Sequence, residues 1–432
     1  MAKLVIIGAG SGFGGRLSID FLSRESLRAG AVIALCDINA ESLAQVAGYV
    51  RRTIDAHGLD AEVVAATDHN DVLDGADFVV TSVSVGGGAY WGHPFAAEVD
   101  IPRKYGVDQS VADTIGPGGV FRFLRTAPVQ LGFCKDMERH CPDALLLNHT
   151  NPMAMLTWLH SAGSSIRNVG LCHSVQGTTK QLADYIGADY DDVTYWVAGI
   201  NHQAWVLAYR ENGRDAVPRL REALEDPETF AKDPVRWEVM RHFGYFVTES
   251  STHMSEYVPY FRQTQAIRDR FDLKTRAVRM EPPRQRAWMA DTGVDGEAPV
   301  GELTRSHEFT TGIMEALVTN EPYTFNGNVM NTGLIANLPA GCCVEVPCLA
   351  DGEGVHPCLV GHLPPQCAAI NRSNIAVQEL AVRAALDKDR QAAFQAVALD
   401  PLTAAVLPLH KIREMFDEMW AAEGDLLAWF DE

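Results

Sequence analysis

The chain has 432 residues, 47% of them hydrophobic and 21% charged, enough for two domains or one large α/β body with a substantial core. Its formal charge of −20 argues against nucleic acid or an anionic membrane surface as the main partner. No apolar run reaches the length that spans a bilayer, and the chain starts directly into a glycine turn with no signal-like stretch, so a cytoplasmic enzyme is expected. The nine cysteines (Cys36, Cys134, Cys141, Cys172, Cys342, Cys343, Cys348, Cys358 and Cys367) fit neither a disulfide framework nor a Cys-x-x-Cys zinc site.

Apolar runs at residues 4–7, 31–35, 63–66, 78–82, 144–147 and 168–171 predict strands. They alternate with predicted helices near 14–24, 40–54, 120–138, 153–159 and 178–186. Strands separated by crossover helices make a parallel sheet. The expected fold is therefore α/β: a doubly wound Rossmann-type sheet, like that of lactate and malate dehydrogenases, followed by a mixed α+β second domain. The pattern changes near Asp191. Residues 193–197 and 204–209 predict antiparallel strands around an Asn201-His202 turn. A helical stretch with polar interruptions then runs to Phe271, 323–346 is β-like, and 367–419 returns to amphipathic helices. The expected division is 1–195, a nucleotide-binding domain, and 196–432, a catalytic and oligomerisation domain. No repeat or flexible linker separates the two.

Gly8-Ala9-Gly10-Ser11-Gly12-Phe13-Gly14-Gly15 follows a predicted strand and opens a predicted helix. Glycines there let the backbone approach a pyrophosphate, whose charge meets the helix N-terminus. The second strand ends at Asp37, placed to accept from a ribose hydroxyl; an acid there repels a 2′-phosphate and favours NAD over NADP. Gly8, Gly10, Ser11, Phe13 and Asp37 are the candidate cofactor residues. Ser82, opening the 82–88 loop, and Asn148, at a later strand end, extend the set.

Ligands of open α/β sheets bind beyond the carboxyl ends of the strands. Here that edge carries Asn148-His149-Thr150-Asn151-Pro152, Cys172-His173-Ser174 and, before residue 120, Asp113-Thr114-Ile115-Gly116-Pro117-Gly118-Gly119. Cys172 and His202 form the best metal pair. A closed structural zinc site needs four ligands, whereas two leave positions open for substrate oxygens. The soft thiolate by itself prefers zinc or iron. The alternative is a buried thiol beside a hydrogen-bonded core histidine.

These motifs, together with residues 241–250, Ser255-Glu256-Tyr257-Val258-Pro259-Tyr260 and 363–366, resemble the NAD- and metal-dependent glycosidases of glycoside hydrolase family 4 over essentially the whole chain. That family stands outside two-carboxylate glycoside hydrolysis. The resemblance implies NAD and Mn²⁺ as cofactors, with Cys172 and His202 on the metal. It implies hydride removal from C3 of the sugar, C2 deprotonation, elimination of the glycosidic oxygen, water addition and return of the hydride. Tyr257 matches the base that relatives use at C2, and a nearby cation must lower its pKa from ~10. Asn151, Asp113 and His149 are expected on sugar hydroxyls. Phospho-sugar members carry Asp or Asn after the metal cysteine, so His173 is the candidate leaving-group acid or a hydroxyl ligand. Cys172-His173-Ser174-Val175 resembles the branch acting on unphosphorylated α-glycosides. Within that branch α-galactosidase ranks first, α-glucosidase second and a uronic-acid α-glycosidase third. A small-molecule glycoside is the expected partner, in a homodimer or homotetramer. The rivals are an NAD-dependent 2-hydroxy acid dehydrogenase, which would accumulate NADH, and an NAD-binding sensor, which would tolerate loss of Cys172 or His202.

Overall fold

The strands of the computed structural model are β1 (Lys3–Ile7), β2 (Ala31–Cys36), β3 (Ala61–Ala66), β4 (Phe78–Thr81), β5 (Leu145–Asn148), β6 (Asn168–Gly170), β7 (Val193–Ile200), β8 (Gln203–Glu211), β9 (Arg214–Asp215), β10 (Tyr323–Met330), β11 (Cys343–Asp351) and β12 (Gly354–Pro357). The structure describes residues 2–87, 90–276, 300 and 302–432. Parallel pairing gives the order β3-β2-β1-β4-β5-β6, the doubly wound arrangement expected. Each central strand buries both faces. In β1, Leu4 and Ile6 join one hydrophobic cluster while Val5 and Ile7 join another, because successive side chains point to opposite sides.

The sheet does not stop at β6. It continues antiparallel through β10, β11, β7, β8 and β9, with Asn328 opposite Gly170 and Glu345 opposite Gly199. One sheet thus runs through both halves of the chain. The β7–β8 hairpin turns at Asn201-His202, as expected.

Several elements differ from expectation in extent. The helix expected from 120 spans Gly116–His140. Its glycines form the first turn because Pro117 sits near the N-terminus, where a missing N–H costs nothing. A helix at Phe95–Lys104 was not expected; Pro102 inside it disguises the pattern. The stretch to Phe271 holds five short helices, Val217–Ala223, Pro227–Lys232, Pro234–Phe243, Ser251–Tyr257 and Gln265–Arg270. The β-like region is two strands, β10 and β11, joined by a loop that Asn331 ties together through its amide to Ile335, Leu338 and Pro339. The C-terminal helices include Pro365–Asp387, which sends Asn371 and Asn374 back toward Gln203 and Tyr257.

Candidate active site

The nucleotide end is built by β1, β2 and the helix Gly12–Leu22. Ser11 caps that helix, accepting from Gly14 N at 3.3 Å, and no acid stands in its first turn to compete with an anion. Gly8 has φ +91°, and a side chain there would strike the Ser82 carbonyl at 2.1 Å. At Gly10 a Cβ would lie 2.7 Å from Asp37 Oδ2, which accepts from Gly10 N at 2.8 Å. Asp37 Oδ1 accepts from Asn39 N, and the adjoining Ile38 is 94% exposed, an apolar face beside the acid. This cradle fits a dinucleotide: glycines where a side chain would intrude, a capped helix end, and a carboxylate at the strand end. Phe13 packs on the His149 ring, centroids 4.7 Å apart. Ser82 is anchored through its N–H to Ile7 O at the mouth of the cradle, while Gly88 lies outside the described residues. Asn148, the other strand-end residue expected at the cofactor, ends β5. It is fully buried, with Oδ1 accepting from Thr81 Oγ1 and Thr150 N and Nδ2 donating to Thr150 O, so it braces the strand end from inside.

Beyond β6, Cys172 stands just before the helix Ser174–Ile186, and the hairpin turn delivers His202 to it. Cys172 Sγ and His202 Nε2 are 3.3 Å apart. Sulfur and nitrogen ligands at about 2.3 and 2.0 Å from one ion, at angles from right to tetrahedral, stand about 3.1–3.6 Å apart. The pair therefore has the spacing of two ligands on a single divalent cation. His202 Nδ1 meets Thr114 Oγ1 at 3.3 Å, which turns Nε2 toward the thiol. Burial and the facing His253 charge lower the His202 pKa, keeping a lone pair available. Burial raises the Cys172 thiol against opposing bonds from Ser174 and Asn201, so a cation is what would hold it as thiolate. Among the described residues no cluster of three or more His, Cys, Asp and Glu side chains could hold a metal. An ion held by two donors would keep positions for substrate oxygens.

The third wall is the helix Ser251–Tyr257, capped by Ser250. His253 and Tyr257 lie four residues apart and so share a face. His253 is sandwiched by carboxylates, with Nδ1 on Glu249 and Nε2 at 3.5 Å from Asp113 Oδ1, and its ring meets His202 at 4.6 Å between centroids. Burial would lower the imidazole, but the two acids raise it to about 10. In return burial is outweighed at both acids: Glu249 is held down at about 2, and Asp113 well below the usual carboxylate range. Asn151 Nδ2 reaches Asp113 Oδ2 at 3.5 Å. Tyr257 is 1% exposed, and its hydroxyl, beside Thr114, has no formed hydrogen bond among the described residues. Burial first, then Asp113 and Glu249, push its pKa well above 10. Three non-glycine residues around this point, Ala112, His202 and Glu249, have left-handed φ of 53°, 61° and 86°. Such strain persists only where the surroundings enforce it.

The structure therefore brings Asp113, Asn151, Cys172, His202 and Tyr257 to one place. His149 lines the cofactor side, donating to or accepting from Thr310 Oγ1 at 2.8 Å; burial and the nearby His173 drop its pKa to about 3. His173 points outward, its side chain 76% exposed and 3.7 Å from Glu308. The motif reading missed His253 and Glu249. Their one signal was the four-residue spacing of His253 from Tyr257. It also missed Glu345, fully buried in β11, whose carboxyl is pushed well above the usual carboxylate range by burial first and then by the neighbouring Cys172.

Fold and site together define a dinucleotide-type enzyme with a Cys–His pair at metal-ligand spacing near the strand ends. The model of the family 4 glycosyl hydrolases matches residues 3–188, and that of the family's C-terminal domain matches residues 197–403. The chain belongs to family 4 of the glycosyl hydrolases. It is 40% identical to an alpha-galactosidase of Bacillus subtilis (strain 168) over 99% of each chain. It is 36% identical to an alpha-galactosidase of Rhizobium meliloti (strain 1021), over 98% of this chain and 89% of that one. Among solved structures it resembles a 6-phospho-alpha-glucosidase from gut microorganisms in complex with NAD and Mn2+, with a TM-score of 0.78, 18% identity and 98% of each chain covered. No described helix is long and apolar enough to cross a membrane.

Proposed function

We propose that the protein is an α-galactosidase acting on unphosphorylated α-galactosides with NAD and a divalent metal ion, Mn²⁺ by analogy with the relatives. The observation that carries the reading is the Cys172–His202 pair, 3.3 Å apart, beside the buried Tyr257 and below the glycine cradle. The galactoside assignment rests on full-length identity to α-galactosidases. Bound NAD supplies reversible hydride acceptance at C3, and the cation on Cys172 and His202 supplies Lewis acidity at the neighbouring sugar oxygens.

The chain's own residues do the rest. Gly8, Gly10, Ser11, Phe13 and Asp37 hold the dinucleotide, with Ser82 at the cradle mouth and Asn148 bracing the strand end behind it. Asp113 and Asn151 accept and donate at sugar hydroxyls, and His149, kept neutral, adds a third contact. Tyr257 Oη takes the C2 proton. Its desolvated position makes the phenolate reactive once a cation offsets Asp113 and Glu249. His173, exposed and with Glu308 as its carboxylate partner, delivers a proton to the departing oxygen. Residues 1–195 hold the cofactor and also carry Asp113, His149, Asn151, Cys172 and His173, while 196–432 supply His202, Tyr257 and the surfaces for self-association, in a cytoplasmic homodimer or homotetramer.

The test is hydrolysis of aryl α-galactoside, α-glucoside and α-galacturonide by protein stripped of NAD and metal, then reconstituted. Turnover of the galactoside that returns only with both additions is expected. Hydrolysis indifferent to either addition would remove the reading. Preference for the glucoside or galacturonide would move the assignment within the family, and stoichiometric NADH would mark a dehydrogenase.

A further inference from the structure

We propose that Glu256 is a positioning residue for the reaction, locking the loop that carries Asp113 onto the helix that carries Tyr257. The inference rests on Tyr257 acting as the C2 base. Glu256 is 3% exposed, on the residue preceding that tyrosine, and its side chain turns away from the site into the 109–112 loop. Oε1 accepts the backbone N–H groups of Ser110 and Val111, the latter at 2.7 Å. Oε2 accepts from Ala112 N at 3.1 Å and from Gln109 Nε2 at 3.0 Å. Three consecutive N–H groups thus form a nest of the kind that elsewhere binds anions, and here its anion is an internal carboxylate.

The bonds have two consequences for geometry. Ala112 holds its left-handed φ of 53° with its N–H clamped, and Asp113 follows directly, so the carboxylate sets where Asp113 leaves the loop. Gln109 relays the restraint: Nε2 also donates to Ile115 O at 2.9 Å, and Oε1 accepts from Gly118 N at 3.1 Å. The first turn of Gly116–His140 is thereby tied to the same carboxylate. From the other side Asn374 Nδ2 donates to Tyr257 O at 3.0 Å. The phenol and Asp113 are thus held by a single chain of hydrogen bonds, none of which touches the sugar. A separation error of about 1 Å between reacting groups can cost on the order of 10²-fold in rate.

The experiment compares the NAD- and Mn²⁺-loaded parent with Glu256→Gln and Gln109→Leu, using aryl α-galactoside carrying hydrogen or deuterium at C2. Glu256→Gln points an amide donor into a nest of donors, and Gln109→Leu cuts the relay while leaving the carboxylate in place. Expected for Glu256→Gln is a 10- to 100-fold fall in kcat, with KM and NAD affinity within about threefold of the parent, and a larger C2 isotope effect because proton abstraction has slowed. Gln109→Leu should move kcat and the isotope effect the same way by a smaller factor. Parental kinetics in both variants would overturn the proposal, as would a fall in kcat matched by the loss of NAD-titratable sites with an unchanged isotope effect. If Glu256→Gln does not fold, the isotope effect of Gln109→Leu decides alone. A parent with no C2 isotope effect and no solvent exchange at C2 would instead retire Tyr257 as base.

Discussion

The imidazole of His253, bridging two buried acids, allows a prediction whose magnitude follows from the structure. Its folded pKa of about 10 stands against an ordinary 6.5. The protonated ring therefore contributes stability that is fully present below pH 6.5 and declines as pH rises toward 10. At about 1.4 kcal/mol per pH unit of separation, the contribution is on the order of 4 kcal/mol at pH 6, with about half remaining near pH 8. Direct truncation is expected to be of that size, since removing one member of a buried ionic cluster strands the others and costs about 3–5 kcal/mol. His253→Gln keeps the side-chain length and hydrogen-bonding capacity but removes the charge from between Asp113 and Glu249. The assay is denaturant unfolding of parent and variant at pH 6, 8 and 9.5, with NAD and metal removed so that no bound cation substitutes for the imidazolium. The gap between the two proteins should be widest at pH 6 and shrink steadily toward pH 9.5. A gap that stays constant, or widens with pH, would show that His253 bridges the acids as a neutral ring and refute the charge assignment.

Other expectations are as follows. Cys172→Ser should weaken Mn²⁺ binding by at least tenfold and abolish metal-dependent hydrolysis while leaving NAD titration unchanged; loss of both together would indicate misfolding instead. Gly10→Ala places a methyl 2.7 Å from Asp37 Oδ2 and must displace it, so NAD affinity should fall about 10- to 100-fold with metal affinity retained, as read by calorimetry. Glu423 is 1% exposed with both oxygens unpartnered among the described residues, and burial followed by the Glu98 charge pushes it up to about 8. An acid raised above its ordinary 4.5 burdens the fold increasingly from pH 4.5 to 8 and fully above that. Glu423→Gln should therefore match the parent's thermal midpoint near pH 4.5 and exceed it at pH 8.5; equal midpoints at both pH values would count against the shift.

The parallel half of the fold was legible because its signals are local. β1, β2, β4 and β5 are short apolar runs, and the glycine turn after β1 needs only its own residues to be recognised. The Asn201-His202 hairpin was legible for the same reason, its two strands flanking the turn directly. Gly116–His140 was shortened because glycines read as loop, although Pro117 marks a helix start. Continuation of one sheet from β6 into β10 was not legible, since it depends on pairing residues such as Gly170 and Asn328, far apart in sequence.

The site divides in the same way. Cys172, His202, Asn151 and Tyr257 lie in recognisable motifs, and the structure brings them together. His253 and Glu249 acquire meaning only when the helix Ser251–Tyr257 folds against Asp113, because a carboxylate–imidazole–carboxylate bridge assembled across 140 residues has no local pattern. The bracing bonds of Asn148 were not legible, because an amide at a strand end reads the same whether it faces a ligand or braces the loop. Glu345 escaped notice because a lone acid in a strand ordinarily faces solvent.

Removal of the C2 proton by Tyr257, from a sugar held at the Cys172–His202 pair, is best tested by hydrolysing an aryl α-galactoside in D₂O with the NAD- and Mn²⁺-loaded protein and examining the released galactose by NMR. One deuteron at C2 is expected in the parent, and neither exchange nor product with Tyr257→Phe. Galactose formed at full rate with protium retained at C2 would contradict it.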